Sequence, residues 1–88
     1  MALQIWVAQL PISSRTAQKI VERHQIEPAE VVDAVVGVAG LSFRYHRDEA
    51  RGERAIEVAI RGRTALLVLY DAQHPLGDVW HLGSAYFV

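Results

Sequence analysis

The sequence predicts an α+β domain in which two N-terminal helices pack on a small antiparallel sheet, in the order β-α-α-β-β-β-β. Three observations lead there. Apolar residues recur at three- and four-residue steps between Ser13 and Val38, bounded by capping signals. From Leu41 onward the apolar period changes to two. One later segment, Ala65 to Tyr70, is apolar without alternation, as the central strand of a sheet would be. All 88 residues form one domain's length of chain, with 51% hydrophobic and 22% charged residues, an ordinary globular balance.

Leu3 to Ala8 is short and rich in strand formers, and Pro11 ends it, so it reads as a first strand. Ser13 and Ser14 offer side-chain oxygens to the orphan N–H groups of a helix start. Ala17, Ile20, Val21 and His24 then form one stripe, with Arg15, Lys19, Glu22 and Arg23 largely off it. Glu27-Pro28-Ala29-Glu30 begins a second helix, because proline suits the first turn and acids suit the positive end of the dipole. Val31, Val35 and Val38 share its apolar face. So many valines also suit a buried strand. The start signal and the Gly37 to Gly40 stop favour helix.

Leu41, Phe43 and Tyr45 face one way on the next strand, and Ser42, Arg44 and His46 the other. Arg47 to Gly52 has turn character. Ile56, Val58 and Ile60 alternate with Glu57, Ala59 and Arg61, Gly62 marks a tight turn, and Asp71 to Gly77 is a loop before a last strand from Val79 to Val88. Arg44, His46, Glu57 and Arg61 would then share the sheet face away from the helices. A one-residue slip in register would invert that face.

Charge narrows the function classes by its placement. The total is −1, which excludes a strongly basic nucleic-acid binder. Six arginines fall between positions 44 and 63, against four acids. Guanidinium groups grip phosphate or carboxylate through paired hydrogen bonds. The segment therefore reads either as a salt-bridged hairpin or as an anion-binding face. Cysteine is absent, and the four histidines lack metal-ligand spacing, so no metal or other cofactor is expected. No segment is apolar for long enough to span a membrane, and no leader pattern precedes the domain, which points to the cytoplasm. RNA cleavage without a metal needs a base for the 2′-hydroxyl, an acid for the leaving oxygen and a cation for the phosphorane-like charge. His24, His46 or Glu57 can move protons, and Arg54, Arg61 or Arg63 can hold phosphate. The aromatic residues read as core or rim rather than as a base-stacking platform.

Lys19-Ile20-Val21-Glu22-Arg23-His24-Gln25-Ile26-Glu27-Pro28-Ala29-Glu30-Val31-Val32-Asp33-Ala34 resembles the helix pair of BrnT-type toxins. Arg51-Gly52-Glu53-Arg54 and Gly62 to Tyr70 resemble that family's arginine-bearing strands, and Gly83-Ser84-Ala85 resembles the start of its terminal Ser-Ala-Arg element. The resemblance runs from about Trp6 to Tyr86. It implies a RelE/ParE-like fold and the toxin of a type II toxin–antitoxin pair, a metal-independent ribonuclease whose active face a cognate antitoxin covers. His24, Arg54 and Arg63 match positions where the family keeps charged or catalytic groups. Lys19 and Glu22 match more loosely. Tyr86 stands where the family has an arginine, and a tyrosine there is similar to the proton donor or stacking group of some RelE-like toxins. Catalysis is thus expected from His24, Arg54, Arg63 and Tyr86, and RNA binding from Lys19, Arg44, His46 and Arg61. The alternatives are a non-catalytic module that grips an acidic partner helix and a ParE-like inhibitor of DNA gyrase. The apolar strand ending the chain would expose an open edge, so a homodimer or an antitoxin segment is expected to cover it.

Overall fold

The computed structural model describes residues 4–45, without the Tyr45 side chain, and 52–88. His46 and the turn expected at Arg47 to Arg51 lie outside the described residues. The elements are β1 (Gln4–Ile5), α1 (Ser14–His24), α2 (Pro28–Val35), β2 (Leu41–Ser42), β3 (Arg44–Tyr45), β4 (Glu53–Ile60), β5 (Arg63–Asp71) and β6 (Trp80–Phe87). The architecture is α+β, with two helices and two antiparallel sheets: β1-β2, and β3-β4-β5-β6 in that spatial order.

Both helices are bounded by the signals in their own sequence. The Ser13 Oγ accepts the Thr16 N–H at 3.2 Å, opening α1. Gln25 turns left-handed at φ 53°, its N–H donating to the Val21 carbonyl and the Ile26 N–H to the Ile20 carbonyl. Pro28 opens α2, and the Glu30 carboxylate accepts the Glu27 N–H at 3.0 Å. α2 ends at Val35 because Val36 is extended and Gly37 has φ 72°. Val38 therefore lies beyond the helix, and the apolar face is carried by Val31 and Val35, both fully buried.

Two expected strands differ from the sequence reading. The first shrinks to Gln4–Ile5, because the chain then changes partner at each step. Val7 bridges Val36 in parallel, and Gln9 bridges Val79 in parallel. This segment straps the ends of several elements together, burying Ile5, Val7 and Leu10 while Trp6 faces solvent. The strand expected from Leu41 breaks at Phe43: β2 pairs with β1, whereas β3 pairs with β4. Among the described residues the strands thus number six rather than five.

The sheet is buried on both faces at its centre. Ala65 through Leu69 of β5 are all buried, as expected of a central strand. Ile56, Ile60, Leu67, Leu69, Leu82 and Ala85 pack with Ile20, Ile26, Val31 and Val35 from the helix side. Burial of each such Leu or Ile contributes roughly 1.5–3 kcal/mol. On the opposite face Ala55, Leu66 and Val68 are buried as well. Arg61 and Gly62 both have positive φ, 52° and 75°, so β4 and β5 are joined by a two-residue turn of the primed type. That turn pairs Ile60 with Arg63 and fixes where each arginine of the hairpin stands.

Candidate functional site

The C-terminal end of α1, the β4–β5 turn and the end of β6 converge on one corner. His24 is the last residue of α1, and its ring lies 5.9 Å from that of Tyr86 on β6, centroid to centroid and tilted by 46°. Tyr86 pairs with Leu66 and alternates with the buried Ala85, so it belongs to the sheet face away from the core. His24 reaches it because β6 is the outermost strand and α1 packs against it. Both residues are half-buried.

Two arginines complete the corner. The Arg63 guanidinium carbon stands 4.0 Å above the Phe87 ring centroid, and that of Arg61 stands 5.5 Å from the same ring. Arg61 is tethered further: its Nε meets the Glu30 carboxylate at 2.9 Å, and its Nη2 donates to the Gln25 carbonyl. It therefore ties the linker between α1 and α2 to the hairpin turn. Arg63 is exposed and makes no ion pair among the described residues. Phe87 and Glu30 organise this corner, yet nothing in their sequence spacing marks them.

Arg54 is not part of the corner. It pairs with Leu69, whereas Arg63 pairs with Ile60 at the other end of the hairpin. Six residues of strand separate the two positions on β4, roughly 20 Å at the rise of a strand. Arg54 and Arg63, both expected among the catalytic residues, are thus held at opposite ends of the hairpin by the register. Arg54 instead packs with its guanidinium carbon 5.1 Å from the Phe43 centroid and 5.7 Å from that of Trp80, with Nε and Nη1 buried. Its surroundings are those of a structural cation. Arg54→Ala is expected to lower unfolding free energy by about 2 kcal/mol, since the cation–π contacts are desolvated. Arg63→Ala is expected to cost less than about 1 kcal/mol. Urea unfolding of both variants checks this, and equal losses would show that the two arginines do not differ in role.

The remaining expected residues are dispersed. The Lys19 Nζ donates to the Gly83 carbonyl of β6 at 3.0 Å, which anchors the middle of α1 beside the strand that carries Tyr86. Arg44 shares the outer face with Glu57, as expected, and the two form an exposed ion pair at 3.5 Å. Arg61 does not join them, because it occupies the turn and bonds toward the helices. Arg44 sits on β3, the outer strand opposite β6, about 14 Å across the sheet at the usual strand spacing. Among the described residues, no three histidine or carboxylate side chains are placed to share a metal ion. No helix among them is long and apolar enough to cross a membrane.

The corner thus brings an imidazole against a phenol, with the Arg63 guanidinium stacked on Phe87, the residue after Tyr86. An imidazole can take a proton, a phenol can give one, and a guanidinium can bind an anion. The chain matches no protein-family model, no curated protein and no solved structure.

Proposed function

We propose that this protein is a metal-independent ribonuclease of the RelE/ParE-like superfamily, similar to BrnT-type toxins, acting at the His24–Tyr86 corner. The observation that carries the reading is the 5.9 Å contact between these rings, made by residues from the two ends of the fold. It joins the residue that the family's helix motif implies to the one standing in place of its terminal arginine.

Chemistry follows from the side chains. The 2′-oxygen of the substrate attacks phosphorus while the bond from phosphorus to the 5′-oxygen breaks, leaving a 2′,3′-cyclic phosphate. His24 takes the 2′-hydroxyl proton, and the Tyr86 phenol protonates the departing 5′-oxygen. Arg63 holds the charge that builds on the phosphoryl oxygens, with Arg61 beside it. In the toxin reading the natural partner is a cognate antitoxin protein, and the site of action is the cytoplasm.

Incubating the purified protein with cellular RNA in the presence of EDTA tests the proposal. Expected products carry cyclic phosphate and 5′-hydroxyl ends. Intact RNA would overturn it. Inhibition of DNA supercoiling by the same preparation would move the assignment to a gyrase inhibitor. Tight capture of an acidic protein, with neither activity, would move it to a binding module.

A further inference from the structure

We infer that the exposed side of α1 is a track for the backbone of single-stranded RNA, formed by Arg15, Lys19 and Arg23 and ending at the His24–Tyr86 pair. The inference rests on the reading of that pair as an RNA-cleaving site, and it adds the surface that delivers the strand.

Spacing makes the track. The three cations recur every four residues, so they form a ridge along one side of the helix with steps of about 6 Å. Ile20 lies on the buried side of the same helix. Arg15 and Arg23 are exposed, and none of the three makes an ion pair among the described residues. The contrast with Arg44 and Arg61, which both have carboxylate partners, is direct. Glu22 lies on the same side of α1, but its Oε1 accepts a hydrogen bond from the Gln18 amide at 3.0 Å.

Placement gives the track its direction. Arg15, Thr16, Gln18, Lys19, Glu22 and Arg23 line an open depression of about 460 Å³. Its central cation is fixed to β6 through the Gly83 carbonyl, and its last cation precedes His24 in the chain. A strand lying along the ridge is thereby led to the His24 and Tyr86 rings.

Chemistry selects the occupant. The lining side chains are charged or hydrogen-bonding, and no large apolar group stands among them. A protein partner would find no apolar centre to bury there, whereas protein interfaces have one. A polyphosphate needs only spaced cations. Local placement also removes the objection from a total charge of −1, because α1 carries three basic residues against one acid.

Binding of a 2′-O-methyl single-stranded oligoribonucleotide, which cannot be cleaved by 2′-oxygen attack, tests the track by fluorescence anisotropy across a salt series. Removing two phosphate contacts with the Arg15→Gln/Arg23→Gln pair is expected to flatten the plot of log affinity against log salt by about 1.4, at about 0.7 per contact. The Arg15→Lys/Arg23→Lys pair, which keeps the charges, is expected to retain the wild-type slope. An unchanged slope in the glutamine pair, with its thermal unfolding also unchanged, would overturn the track. So would a polyglutamate chain that outcompetes the RNA at equal charge. Failure of the track and failure of the nuclease reading remain separable. Track-dependent binding without cleavage of ordinary RNA sinks only the nuclease, and cleavage with an unaltered slope sinks only the track.

Discussion

Tyr86→Phe is expected to slow RNA cleavage by about 10²–10⁴, the usual worth of a positioned general acid. The substitution removes one oxygen and retains the ring that meets His24. Packing is therefore kept while the transferable proton is lost. His24→Gln should fall in the same range, since glutamine can hydrogen-bond but cannot take up the 2′-hydroxyl proton. If the two act on one transition state, the double variant will be little worse than either single one. Single-turnover rates at saturating RNA read this directly. A Tyr86→Phe rate within twofold of wild type would reduce the ring pair to a packing contact and remove the observation on which the nuclease reading stands.

Gly83→Ala should be the most disruptive single methyl in the molecule, with unfolding free energy lowered by about 3 kcal/mol from overpacking and a disturbed charged hydrogen bond. A Cβ at position 83 would lie 2.1 Å from the Tyr70 Cε2 and 2.9 Å from its Cδ2, so the ring must leave its place. The Tyr70 hydroxyl donates to the Glu53 Oε1 at 2.7 Å, and Glu53 is the one buried charged residue among those described. Shifting the ring disturbs that bond at a carboxylate with little access to water. Gly83 is also the residue skipped in the β5–β6 register, where Val68 pairs with Ser84 and Leu69 with Leu82. Its carbonyl receives Lys19, so a displaced bulge would loosen α1 as well. For a domain of this size each kcal/mol corresponds to about 4–8 °C in Tm, so the loss is easily read in a thermal melt. In a Tyr70→Ala background the same Gly83→Ala change should cost far less, because the clashing ring atoms are gone. An equal cost in both backgrounds would show that the strain lies in the bulge backbone rather than against the ring.

Much of the fold was legible because its signals are local. Ser13, Pro28 and Gly37 mark helix ends through hydrogen bonds and dihedrals that involve only their near neighbours. The run from Ala65 to Leu69 shows burial on both faces in its composition alone. The break at Phe43 is not legible for the same reason. The alternation there suits a continuous strand, but whether Leu41 and Arg44 join one sheet or two depends on β1 and β4, which are distant in sequence.

The candidate site divides along the same line. From the sequence alone came the chemical types: a histidine closing a helix, arginines concentrated in a hairpin, and a tyrosine near the end of the last strand. Only the tertiary structure decided which of them meet. A residue's place along a hairpin is set by pairing register, so Arg63 stands at the exposed corner while Arg54, with the same side chain, is held between Phe43 and Trp80. Periodicity reports which side of an element a residue occupies. Neighbours across the fold are chosen by packing, and that is why the approach of His24 to Tyr86 and the seating of Tyr70 on Gly83 appear only once the chain has folded.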